Sequence, residues 1–183
     1  MRVVIINGPS AVGKTMLANK LHLLLDQPAV RINIDEIRHM ISQRKTFPEI
    51  SYPLALKLAK GALEESLQDG RDVIIDKMLF DEPSYGEIGY ALDVYRGIAQ
   101  KYGADMYEFI LIADQNVLMA RAEKRGFSTD KSLTPETAVQ FLHSMNAFAK
   151  DRTEAILIDT SQFDENQVLG KVCDIIGIEK NKD

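Results

Sequence analysis

The spacing of apolar and polar positions along the chain alternates between two patterns. Short, almost unbroken apolar runs at Val3–Ile6, Val30–Ile34, Asp72–Ile75, Met106–Ala113 and Ala155–Ile158 predict strands. Stretches with helical spacing lie between and after them, at Lys14–Leu25, Glu36–Ser42, Tyr52–Gln68, Tyr85–Lys101, Gln115–Lys124, Glu136–Lys150 and Glu165–Ile176. The strands lack the in-out alternation of a sheet that is wet on one face. Both faces must therefore be covered, which is the condition of a parallel sheet with helical crossovers. Strand-helix alternation of this kind predicts a three-layer α/β/α fold with its ligands at the carboxyl ends of the strands.

Local signals mark several boundaries. Thr134-Pro135 reads as a helix N-cap followed by the first helical residue, and Pro83 after Asp81-Glu82 reads the same way. Gly103 and Gly177 read as helix stops. No repeat, linker or second core interrupts the pattern, so residues 1–183 are expected to form one domain, with Glu179–Asp183 a frayed polar tail. A lone cysteine, Cys173, excludes an internal disulfide and sits in an apolar helical stretch, where it should be core. The three histidines, His22, His39 and His143, are too dispersed to read as metal ligands. No apolar run is long enough to span a membrane, and the first strand starts too soon after Met1 for a secretory leader. A cytoplasmic setting is the expectation. The net charge of −5 weighs against a protein whose main task is gripping nucleic acid, without excluding a local basic groove.

The most specific chemistry is the run Gly8-Pro9-Ser10-Ala11-Val12-Gly13-Lys14-Thr15, a complete G-x-x-x-x-G-K-[ST] phosphate-binding loop between a strand and a helix. Gly8 and Gly13 let successive backbone N–H groups converge on phosphate oxygens, and the helix that follows points its positive end at the same anion. Lys14 is placed to reach the outer phosphates and the Thr15 hydroxyl to ligate Mg²⁺.

If ligands bind at the strand ends, polar side chains should follow the strands, and they do. Asp35 follows the second, with Arg38 one helical turn on. A carboxylate there suits a base for an acceptor hydroxyl, or a group that orients it, while Arg38 suits a clamp on the acceptor. A helix N-cap with a surface ion pair would use the same residues. Asp76 closes the third run and is a candidate Mg²⁺ and substrate residue. Lys77 follows it where hydrolytic motors commonly place a glutamate that activates water, so transfer is favoured over hydrolysis. Arg121 and Arg125, four apart at a helix end and followed by a polar segment, suit a short lid at about 125–133 that neutralises charge on a moving phosphoryl group. Asp159 and Thr160, with Ser161, suit either a place beside the nucleotide base or ribose, or a plain strand-to-helix turn. Among the aromatics Phe47, Tyr52, Phe80, Tyr85 and Tyr90, some suit an acceptor pocket and most suit the core.

Taken together, these residues resemble the small P-loop kinases of the nucleoside-monophosphate-kinase-like superfamily over nearly the whole chain. The run VIINGPSAVGKT, the strand ending NID and the run VIIDKMLF resemble the chloramphenicol phosphotransferases. Asp35/Arg38 with Arg121-x-x-x-Arg125-Gly126 resembles the 5′-hydroxyl polynucleotide kinases, and the zeta toxins, which phosphorylate a sugar nucleotide, share the layout. The resemblance implies a five-stranded parallel sheet in order 2-3-1-4-5. It also implies ATP and Mg²⁺ on Lys14 and Thr15, Asp35 as base, lid arginines at 121 and 125, and Ile158–Ser161 near the adenine. The activity implied is transfer of the γ-phosphate to a hydroxyl of a small acceptor. A polynucleotide 5′-hydroxyl, a sugar nucleotide and a non-catalytic nucleotide-binding module are the alternatives. A GTPase switch is disfavoured, because the one Asp-x-x-Gly, Asp174–Gly177, lies inside the last helix. Residues 36–70, where acceptor choice should reside, match no motif.

Overall fold

The computed structural model of the chain describes residues 1–25, 27–78, 91–126 and 133–178. Its elements run β1 (Arg2–Asn7), α1 (Lys14–Leu24), β2 (Val30–Asn33), α2 (Ile34–His39), α3 (Pro48–Gln68), β3 (Val73–Asp76), α4 (Ala91–Lys101), β4 (Asp105–Ile112), α5 (Gln115–Arg125), α6 (Pro135–Lys150), β5 (Ile156–Asp159) and α7 (Glu165–Ile176). The strands form one parallel sheet in the order β2-β3-β1-β4-β5. The fold class and strand order expected from the sequence are those observed.

The unbroken apolar runs have the expected cause. In β1, Val4 and Ile6 pack against α1 and α7 through Leu17, Leu21, Val172 and Cys173, whereas Val3 and Ile5 pack against α3 and α4 through Ala59, Leu63, Leu92 and Tyr95. Every one of those side chains is essentially withdrawn from water. At about 25 cal/mol per Å² of apolar surface, each buried Leu, Ile or Val contributes on the order of 2 kcal/mol to the two layers. Helix α6 packs Met145 and Ala149 on Ile110 of β4. It begins at the expected Thr134, whose hydroxyl accepts the Thr137 N–H at 3.2 Å while Thr137 Oγ1 accepts the Thr134 N–H at 2.7 Å.

Several boundaries differ from the sequence reading. Helix α3 starts one turn earlier, at Pro48, and carries Pro53 inside its second turn. Pro48 occupies the position where a missing N–H costs nothing, and it outweighs Pro53 as a start signal. Strands β3 and β5 each end on an aspartate rather than before it, at Asp76 and Asp159. Finally, β2 ends at Asn33 and Ile34 already belongs to α2, so Asn33 is the cap: its side chain accepts the Glu36 N–H at 3.0 Å. Asp35 therefore lies in the first turn of α2 with its carboxylate not used for capping. Residues 127–132 of the lid expected at about 125–133, the residues Phe80, Pro83, Tyr85 and Tyr90, and the polar tail lie outside the described residues.

Candidate functional site

The sheet register brings Asn7, Asn33, Asp76 and Asp159 to one edge, the carboxyl ends of the strands. Three adjoining clefts run along this edge. They measure about 410, 330 and 500 Å³, each within the size range of small-ligand sites. The first shares Ala11, Gly13, Met16 and Arg121 with the second, and the second shares Ser10, Asp35, Lys77, Met78 and Arg125 with the third.

The middle cleft is built on the loop Gly8–Thr15. Gly8 has φ 140°, and a side chain there would place its Cβ 2.5 Å from the Leu111 carbonyl oxygen. Gly13 has φ 110° and starts α1 with no side-chain cap, so the first N–H groups of α1 are left for a ligand. Ala11, a non-glycine residue, is also left-handed at φ 65°, a strain of the kind that concentrates in ligand-binding loops. Lys14 Nζ donates to the Pro9 carbonyl at 2.9 Å across the loop. Withdrawal from water lowers its pKa to about 8, with Asp76 and Asp35 opposing that shift and Lys77 and Arg125 adding to it. Thr15 is exposed at the mouth, in the same cleft as Asp76.

Asp76 is 2 % exposed, and one of its oxygens accepts from Asn33 Nδ2 at 2.8 Å, with Arg31 NH1 3.9 Å away. Asn33 thus does two things: it caps α2 and it holds the Asp76 carboxylate. A hydroxyl and an anchored carboxylate sharing one phosphate-sized cleft are the hard oxygen donors that Mg²⁺ takes alongside water and phosphate, so the residues fit that ion. Among the described residues no cluster of three or more His, Cys, Asp or Glu could hold a metal by itself.

Asp35 lies on the wall shared by the second and third clefts. Lys77 Nζ donates to its Oδ1 at 2.6 Å, and Arg38 NH1 is 3.7 Å from the same oxygen. Burial acts to raise the Asp35 pKa, but Lys77 first, then Arg38 and Lys14, hold it below the usual carboxylate value. The Arg38 guanidinium stacks on the Tyr52 ring, 3.5 Å from its centroid. Lys77 faces the same ring at 5.4 Å.

The first cleft has an apolar floor of Val12, Leu17, Leu111 and Val168, with Phe163 and Arg121 on its walls. Arg121 donates to Thr160 Oγ1 at 2.8 Å and to the Thr160 carbonyl at 2.7 Å, tying α5 to the segment after β5. Thr160 lines this cleft but Asp159 does not. The Asp159 carboxylate is used within its own turn, accepting the Ser161 N–H at 2.9 Å and Gln162 Nε2 at 2.9 Å. For Asp159 the turn reading describes its position; Thr160 keeps a place beside the cleft. Arg125 lines both the second and third clefts.

The sequence therefore marked Lys14, Thr15, Asp35, Arg38, Asp76, Arg121, Arg125 and Thr160, and folding brings these to one edge. It left out Asn33 and Arg44, named Tyr52 only among aromatics of which some suit an acceptor pocket, and read Lys77 only as the absence of a glutamate. Asn33 and Lys77 sit at strand ends, where the rule that singled out Asp35 and Asp76 would also have found them. Arg44 had no such signal. Phe47, counted among aromatics with a mainly core role, is 43 % exposed.

The chain belongs to the AAA domain family, which matches residues 3–147. No curated protein sequence matches it. Among solved structures it is similar to the tunicamycin resistance protein of Deinococcus radiodurans, at 21% identity, 97% and 96% coverage of the two chains and TM-score 0.66. It is also similar to a sugar kinase from a Janibacter species, at 13% identity, 97% and 95% coverage and TM-score 0.67. A third is the deoxyadenosine kinase of M. mycoides, at 13% identity, 96% and 98% coverage and TM-score 0.57. The chain thus has a small P-loop kinase-like fold over essentially its whole length. Among the described residues, no helix is long and apolar enough to cross a membrane.

Proposed function

We propose that the chain is an ATP-dependent kinase that transfers the γ-phosphate to a hydroxyl of a small-molecule acceptor. The observation that carries this reading is the position of Asp35, on the one wall that the phosphate-loop cleft and the third cleft have in common. A nucleotide base fits the first cleft, its phosphates the loop, and the acceptor the third, so the reacting hydroxyl meets the γ-phosphate at Asp35.

In this reading the loop N–H groups and Lys14 cradle the phosphates and hold the donor in line. Thr15 and Asp76 would hold Mg²⁺, which when bound would neutralise charge on the bridging oxygens. Asp35 accepts the hydrogen bond of the acceptor hydroxyl and takes its proton as the new O–P bond forms and the bond from the γ-phosphorus to the β,γ-bridging oxygen breaks, with ADP leaving. Its lowered pKa makes it a weak base that stays ionised at neutral pH. That suffices for a loose transition state in which orientation matters more than early deprotonation. Lys77 and Arg125 flank the point of transfer and stabilise its equatorial charge. No glutamate follows Asp76 to activate water.

Asp35→Asn tests the assignment. It should leave ATP affinity unchanged and reduce transfer about 10²–10⁴-fold. Wild-type turnover by this variant on an acceptor that the wild type uses would remove Asp35 from the mechanism. A polynucleotide 5′-hydroxyl kinase is the second reading, favoured by the cations of the third cleft and opposed by the net charge of −5. Labelled ATP with a 5′-hydroxyl oligonucleotide separates the two, since binding to a strand falls steeply with salt.

A further inference from the structure

The third cleft has a charge balance that an uncharged acceptor would not call for. Besides Lys45, its lining among the described residues includes Arg38, Arg44, Lys77 and Arg125, against a single carboxylate, Asp35. Lys77 and Arg38 already share that carboxylate. Arg44 and Arg125 form no ion pair with a carboxylate among the described residues. Like charges gathered in one half-enclosed cleft repel one another and cost stability unless an anion arrives. In a chain of net charge −5 this concentration of positive charge is local, not a general property of the surface.

Arg44 is held in place by its backbone. Gln43 has φ 53°, and its carbonyl accepts the N–H groups of Thr46 at 3.0 Å and Phe47 at 3.1 Å, closing a tight turn. The Arg44 carbonyl then accepts the hydroxyl of Ser51, which is 1 % exposed, at 3.0 Å. A left-handed non-glycine residue and a buried hydroxyl thus fix the segment between α2 and α3. On the facing side Arg38 is flattened on Tyr52, which orients its guanidinium as a fork. Forked donors held this way suit the paired oxygens of a phosphate or carboxylate.

From this cleft we infer that the acceptor carries, besides its reacting hydroxyl, an anionic phosphate ester group bound by Arg44 and Arg38, with Asp35 left to the hydroxyl. The inference rests on the kinase reading above and narrows its substrate class to phosphorylated hydroxyl compounds. A phosphate within a nucleic-acid strand would present the same chemistry as one on a small molecule.

The test uses the full-length protein with ATP and Mg²⁺ and matched acceptor pairs: nucleosides against nucleoside monophosphates, sugars against sugar phosphates, and a 5′-hydroxyl oligonucleotide beside the 3′-nucleoside monophosphate. Transfer is read by mass spectrometry. A phosphorylated member should be used with kcat/KM about tenfold or more above its neutral partner. For that acceptor, Arg44→Ala should raise KM about tenfold with kcat little changed, and Arg44→Lys should recover only part of the loss. Neither variant should alter KM for ATP. Transfer to the oligonucleotide alone supports the phosphate-bearing acceptor and overturns its being a small molecule. Equal or better use of the neutral members, or an unchanged KM in Arg44→Ala, overturns the inference and leaves the kinase reading standing. Transfer to no member, with ATP bound, overturns the kinase reading and this inference with it.

Discussion

Lys14→Met should make the nucleotide-free protein more stable while abolishing its response to ATP. The ammonium sits at the base of the loop, and its pKa falls from 10.5 to about 8 through lost hydration. That drop corresponds to a cost of roughly 3 kcal/mol for keeping the charge in the folded state at neutral pH. The side chain is only partly buried and donates to the Pro9 carbonyl, so screening and the lost hydrogen bond reduce the net gain to about 1 kcal/mol. For a domain of this size that raises Tm by about 2–4 °C. The pH dependence follows from linkage. Between about 8 and 10.5 the unfolded state binds more protons at Lys14 than the folded state, so wild-type stability gains on the variant as pH rises. The advantage of the variant is therefore full below about pH 8 and gone above about 10.5. Saturating ATP·Mg²⁺ at about 100 Kd stabilises the wild type by about 2.7 kcal/mol, a rise of roughly 5–11 °C, and should not move Lys14→Met. Differential scanning fluorimetry across pH, with and without ATP, reads all three quantities. A variant no more stable than wild type at pH 7, or a gap that widens with pH, would show that the loop does not strip water from Lys14. An equal ATP shift in both proteins would show that the loop does not bind triphosphate through Lys14.

Other parts of the molecule carry further expected outcomes. Gly8→Ala combines a left-handed φ with a Cβ 2.5 Å from the Leu111 carbonyl, so thermal unfolding should reveal a loss of about 2–4 kcal/mol together with weakened ATP binding. Thr134→Ala removes the hydroxyl cap of α6 and should lower Tm by about 2–4 °C, with ATP affinity unchanged by calorimetry. Because Lys77, Arg38 and Lys14 hold Asp35 below the ordinary carboxylate pKa, kcat should show no acid limb attributable to it near neutral pH. Lys77→Met should bring such a limb closer to neutrality, as measured by the pH profile of transfer.

The parts of this site that were legible in the sequence are those encoded by neighbours in the chain. Gly8 to Thr15 is one contiguous run, and Asp35 and Asp76 announce themselves by following apolar strands. The third cleft is assembled from the phosphate loop, α2, the segment before α3, α3 itself, the residues just after β3, the end of α5, and α6. Its members Arg38, Arg44, Tyr52 and Lys77 meet only through the sheet register and the docking of α3 on β2. Lys77 was visible at a strand end, yet its position alone showed only that a glutamate was missing; the 2.6 Å contact with Asp35 needs the pairing of β2 with β3. Asp35 was ambiguous between cap and base because one residue decides where β2 ends. With Asn33 as the cap, the Asp35 carboxylate is not used for capping, though it keeps the i,i+3 pair with Arg38. Asp159 shows the reverse case, a strand-end carboxylate that its own turn consumes.

The central claim is that phosphate held by Gly8–Thr15 passes Asp35 to an acceptor in the adjoining cleft. The most direct measurement follows ADP, phosphorylated acceptor and free phosphate together during turnover of ATP with an acceptor that the protein uses. ADP should form only when acceptor is present, in one-to-one ratio with phosphorylated product, and both should disappear together in Asp35→Asn. Steady ADP and free phosphate production that ignores the acceptor would contradict the account.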